Sequence, residues 1–150
     1  MKLLRTYLSE LSAIRSTGAA VKETSYYPAL IDLLNGVGAT LKPKVRCNSH
    51  VSNTGVGIPD AGLFTAEQFS QHKDDKPLPN AKPERGVLEI KGVGANLTAL
   101  VGSEQVAKYL AHYGAVIATN YREFQVVERG PGGGAILGER FSLSETKAAF

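Results

Sequence analysis

The chain has 150 residues, 43% of them hydrophobic and 21% charged, with a formal net charge of +3 at pH 7. That is enough chain for one domain with its own core, and the mild basicity permits a nucleic-acid partner without requiring one. A single cysteine, Cys47, excludes an intramolecular disulfide and suits a reducing cytosol. No apolar run is long enough to span a membrane. Met1-Lys2-Leu3-Leu4-Arg5 lacks the apolar region of a signal peptide, so a cytoplasmic protein is expected.

Leu3, Leu4, Tyr7, Leu8, Leu11 and Ile14 recur at helical spacing and predict a packing helix over 2–17, with Gly18 as a stop. A second helix is expected after Glu23, capped by Thr24 or Ser25, with Pro28 in its first turn and Asn35-Gly36 at its end. Glu23 would stand at that helix's N-terminus, either complementing the helix dipole or reaching other carboxylates. Residues 40–47 read as a strand with Pro43 near its start. Lys42, Lys44 and Arg46 would then alternate onto one face, as a phosphate-binding stripe or as an ordinary solvated face.

A polar loop follows over 48–57, in which His50 could face a substrate or simply the solvent. Ile58 to Phe64 reads as a strand carrying Pro59-Asp60, and 65–85 as a long polar insertion. The next strand runs from Gly86 to Lys91. Three Gly-Val-Gly runs, at 36–38, 55–57 and 92–94, follow no nucleotide-binding pattern and read as turns. Ser103 caps a helix to Tyr113, Gly114 ends it, and 115–120 is a buried strand. Segments 123–128 and 135–142 flank a glycine-rich turn and should pair as a hairpin. Ser144-Glu145-Thr146-Lys147 begins another helix, which suggests a piece of a longer polypeptide.

Chemistry concentrates at Pro59-Asp60 and Glu89-Ile90-Lys91. Strand alternation puts Glu89 and Lys91 on one face and Ile90 on the other. Two carboxylates beside an ammonium form a hard-cation site suited to Mg²⁺. The plainer reading is a surface salt bridge and a turn aspartate, since motifs this short recur by chance.

The element order, helix, three strands with carboxylates on the second and third, helix, strand, resembles the core of the PD-(D/E)XK nucleases. Glu23 to Pro28, Pro59-Asp60, Glu89-Ile90-Lys91, Gln105 with Tyr109, and Val116 to Arg122 together resemble the N-terminal Mrr-like nuclease domain of bacterial single-polypeptide restriction–modification enzymes. The likeness covers 20–128. It implies an α/β fold, a central mixed β-sheet flanked by helices, and Mg²⁺-dependent hydrolysis of phosphodiester bonds in double-stranded DNA, with Mn²⁺ as a substitute.

Position by position, the resemblance implies that Asp60, Glu89 and Glu23 hold the metal and that Lys91 orients or deprotonates the water. Gln105 would line the site, and Tyr109 would join Lys42, Lys44 and Arg46 in contacting DNA. It further implies that residues 1–150 are a single nuclease domain, covalently linked to methyltransferase or motor domains, and able to cut both strands as a dimer. The long 65–85 insertion departs from compact members of the family. Two other functions fit the residues: a catalytically silent module of this fold that binds DNA or a protein, and a small-molecule α/β enzyme.

Overall fold

Strand β3 (Gly86–Ile90) is buried along its whole length, and the other elements are arranged around it. The computed structural model describes residues 2–17, 23–49, 51–70 and 81–144. Among these residues six strands form one mixed sheet in sequence order: β1 (Val45–Asn48), β2 (Ala61–Thr65), β3, β4 (Ala115–Thr119), β5 (Glu123–Arg129) and β6 (Ala135–Ser142). All neighbours are antiparallel except β3 and β4. The parallel pair needs a crossover. It is made by α4 (Leu97–Val101) and α5 (Glu104–Tyr113), which cover one face of the sheet. Helices α1 (Lys2–Arg15) and α2 (Tyr27–Gly38) cover the other.

The alternation of β3 assigns its side chains to the two layers. Leu88 and Ile90 pack with Tyr7, Leu11, Leu30 and Tyr121 beneath α1 and α2. Val87 packs with Val106, Leu110 and Val116 beneath α5. Glu89 shares the side of Val87, so the sheet's pleat turns it towards α5. Truncating Leu88 or Ile90 to Ala would cost about 2–5 kcal/mol, because neither side chain touches solvent.

The first helix, the helix after Ser103 and the hairpin follow the sequence expectation. Ser103 Oγ accepts the Val106 N–H, and Gly114 closes α5 in a left-handed conformation. The second helix differs. Glu23–Tyr26 forms a 3₁₀ turn, α2 begins without a side-chain cap, and the helix runs through Asn35-Gly36 to Gly38. Asn35 is not a terminator: its side chain bonds both backbone groups of Cys47, tying α2 to β1. Gly38 lies so close to β1 that a Cβ would meet the carbonyl of Val45.

The strand expected over 40–47 starts only at Val45, because Thr40 to Pro43 form turns and bends after α2. Lys42 and Lys44 precede it and are exposed. The strand expected from Ile58 begins at Ala61, which leaves Asp60 in the bend that enters it. The supposed insertion opens with a short helix, α3 (Ala66–Ser70), where Gln68 joins the Thr65 N–H to the Lys82 carbonyl. Helix α4, capped by Asn96, was not expected. His50, residues 71–80 of the insertion and the helix expected beyond Ser144 lie outside the described residues.

Candidate active site

Asp60, Glu89 and Lys91 come together at one end of the two interior strands, where β2 enters and β3 leaves. The β2–β3 register ends at Ala61 opposite Leu88. Beyond that rung the Asp60 side chain replaces the backbone: Oδ2 accepts the Ile90 N–H at 2.7 Å. Oδ1 accepts the Tyr27 hydroxyl at 2.9 Å. Tyr27 is in the first turn of α2, just ahead of Pro28, so helix geometry aims the phenol at the carboxylate.

Glu89 is 5% exposed, and its Oε1 lies 3.1 Å from Lys91 Nζ, whose side chain is 49% exposed. Burial pushes the Glu89 carboxyl above the usual carboxylate range and the Asp60 charge adds to this. The Lys91 partner opposes the rise without cancelling it. Lys91 is also pushed up, first by its hydrogen bond to Glu89 and then by the charges of Glu89, Asp60 and Glu23, with partial desolvation opposing. A lysine held protonated in this way is poorly suited to deprotonate water in the metal-free protein.

Glu23 approaches from the 3₁₀ turn. Its carboxyl is raised by burial and by the Asp60 charge, against the attraction of Lys91. Its backbone carbonyl accepts the Tyr121 hydroxyl at 2.7 Å. Tyr121 is fully buried, takes a positive φ of 73°, and packs against Tyr26 with ring centroids 5.2 Å apart.

Helix α5 supplies the far wall. Tyr109 is 3% exposed, so its ring is unavailable for the DNA contact expected of it. Its hydroxyl bonds to the Gln105 side chain, and burial followed by the Glu89 charge raises it. The loop entering Asp60 is held against this helix. Asn53 Oδ1 accepts the N–H groups of Gly55 and Gly57, and Thr54 Oγ1 lies 2.8 Å from His112 Nε2 and 2.9 Å from the Tyr113 hydroxyl. Gly57, at φ 97°, passes Gln105 and Tyr109 in a conformation that disfavours any larger residue.

The basic stripe does not reach this end. Val45 pairs with Thr65, so Lys42 and Lys44 lie beyond the end of β2 opposite Asp60. Arg46 stacks on Phe69, its guanidinium 4.4 Å from the ring centroid. Tyr27 and Tyr121 lie in the stretches that carry the resemblance, but neither was expected in the site; Tyr26-Tyr27-Pro28 at a helix start was the available signal.

Among the described residues no three His, Cys, Asp or Glu side chains meet closely enough to enclose a metal ion. The donor set still fits a hard cation: Asp60 and Glu89 offer oxygen ligands, and Mg²⁺ is commonly held by one or two carboxylates with water and phosphate completing its shell. Asp60 keeps acceptor capacity after its two hydrogen bonds, since a carboxylate has about four lone-pair sites.

No protein-family model matches the chain, and no curated protein matches it. Solved structures are similar to it, among them one from a cryo-EM structure described as a DrdV–DNA complex, with a TM-score of 0.65 at 18% identity. The match covers 96% of this chain and 87% of the other. No helix among the described residues is long and apolar enough to cross a membrane. The mixed sheet flanked by helices is therefore a fold this chain shares with a chain of that complex.

Proposed function

We propose that the chain is a Mg²⁺-dependent endodeoxyribonuclease domain of the PD-(D/E)XK type, the nuclease part of a restriction–modification enzyme acting on double-stranded DNA. The observation that carries this reading is the meeting of Asp60 with Glu89 and Lys91 through the Asp60–Ile90 hydrogen bond. The shared fold with a chain from a DNA complex supports it.

Asp60 and Glu89 would hold the cation, with Glu23 adding negative charge from the rim. Mg²⁺ bound there would supply a nucleophile at neutral pH and stabilise charge on the phosphoryl oxygens. Lys91 keeps its proton, orients the attacking water as a donor and offsets the carboxylate charge. Gln105, anchored by Tyr109, presents an amide able to donate to a phosphate oxygen or accept from water. The buried wall of α5 limits the water around the reacting groups. Lys42 and Lys44 would touch DNA only well away from the scissile phosphate. In the full protein, linked methyltransferase or motor domains would provide sequence reading, because phosphate contacts carry no sequence information. A dimer would allow both strands to be cut.

The test is incubation of plasmid DNA with the protein and Mg²⁺ or Mn²⁺, beside Asp60→Asn. Cleavage by the wild type alone is expected. No cleavage together with no divalent-cation binding by calorimetry would overturn the reading.

A further inference from the structure

Asp60 lies in a bend rather than a strand, so regular backbone pairing does not fix its side chain. Two donors from different elements do so instead. The Ile90 N–H, fixed in the sheet between Glu89 and Lys91, binds Oδ2, and the Tyr27 hydroxyl, fixed in the first turn of α2, binds Oδ1. One donor would leave the carboxylate free to rotate about that bond; two on opposite oxygens define its plane. We propose that Tyr27 is a positioning residue of the site, one that locks the Asp60 carboxylate so that its remaining lone pairs are presented to a divalent cation shared with Glu89.

This rests on the reading of the site as a metal-dependent nuclease centre. Tyr27 touches Asp60 and acts through it, so it is not a catalytic residue. A structural phenol would serve any acceptor in the core. Here the acceptor is a carboxylate, and Tyr27 also feels the charges of Glu23 and Glu89, so the group faces the cluster itself. Hydrogen-bond partners of ligating carboxylates commonly contribute as much as this role requires.

The experiment compares wild type, Tyr27→Phe and Asp60→Asn, each as the full chain. Mn²⁺ affinity is measured by calorimetry, DNA affinity in chelator, melting temperature, and plasmid cleavage. Tyr27→Phe keeps the ring and removes only the hydroxyl. It should weaken Mn²⁺ binding and slow cleavage by roughly 10- to 100-fold, with metal-free DNA affinity unchanged. Measured well below both melting temperatures, where the variant is fully folded, these losses should persist.

Wild-type Mn²⁺ affinity in Tyr27→Phe would overturn the proposal. So would losses that only track the unfolded fraction, which would mean that the phenol acts through packing; binding measured well below the melting temperature decides this even where Tyr27→Phe melts lower. A wild type that neither binds Mn²⁺ nor cuts DNA would overturn the nuclease reading, and this proposal with it.

Discussion

The Asp60 carboxylate accepts the Ile90 N–H at the point where the β2–β3 ladder would place its next rung. Ile90 is fully buried, so without Asp60 that N–H has neither strand partner nor water. The residue expected to hold a metal is therefore also part of the sheet. Asp60→Ala should destabilise the protein by about 1–3 kcal/mol through the orphaned donor. Asp60→Asn keeps an acceptor oxygen and should lose less. Both should lose divalent-cation binding, so denaturant unfolding beside metal titration separates the two roles. Equal stability for Asp60→Ala and wild type would show that the Ile90 bond contributes nothing.

Relief of carboxylate repulsion alone would predict a gain in stability from neutralising this aspartate. The structure supplies the opposing term, which patterning could not reveal. Other features were open to view. Ser103 and Gly114 bound α5 as their chemistry requires, and the Glu89–Lys91 pair follows from the pleat of one strand. What escaped depends on tertiary partners. Asn35 looked like a helix end but spends its amide on Cys47. Lys42 and Lys44 alternate in sequence, yet the chain turns through them before β1 begins. Tyr27 stood inside the Glu23-to-Pro28 stretch with no role of its own, and only the packing of α2 against the sheet brings it to Asp60.

Glu89 and Glu23 both have carboxyls raised chiefly by burial. Across the window between the ordinary carboxylate value and the raised native values, the folded state binds more protons than the unfolded one. Stability should therefore fall as pH rises through that window in metal-free protein. Adding Mg²⁺ at pH 7.5 should raise the melting temperature, and the gain should shrink as pH is lowered and protons compete for the same oxygens. In Glu89→Gln most of the Mg²⁺-induced shift should be absent. A shift of the same size in wild type and variant would remove Glu89 from the ligand set.

Lys91 has a pH signature of the same sign, displaced to the alkaline range. Its raised value means that the stability it contributes is present below the ordinary lysine value and is lost as pH rises through the folded value. Near neutrality it is a cation, so its expected work is orientation and charge. Lys91→Ala should keep the fold and bind DNA nearly as well, while cleavage falls on the order of 100-fold or more. Lys91→Arg keeps the charge, but a planar guanidinium cannot occupy the same point, and cleavage should remain poor. Single-turnover rates at saturating DNA separate chemistry from binding. Wild-type rates in both variants would leave Lys91 as a salt-bridge partner of Glu89 and nothing more.

Tyr121 tests how Glu23 is held. Its backbone is in a left-handed conformation that a large side chain adopts only at a cost of about 1–3 kcal/mol. The surroundings hold it there: the Tyr7 hydroxyl donates to its carbonyl at 2.7 Å, and its own hydroxyl donates to the Glu23 carbonyl. Tyr121→Phe keeps the ring packed on Tyr26 and removes only the second bond. It should cost about 1 kcal/mol and loosen the 3₁₀ turn, detectable as faster amide exchange in 23–26 with little change in β4. Tyr121→Gly relieves the strain but empties a fully buried aromatic site, and should be destabilised by more than about 3 kcal/mol. If Glu23 only borders the site, Tyr121→Phe will change cleavage less than Tyr27→Phe does. An equal or larger loss would move Glu23 from the rim into the set of groups that hold the cation.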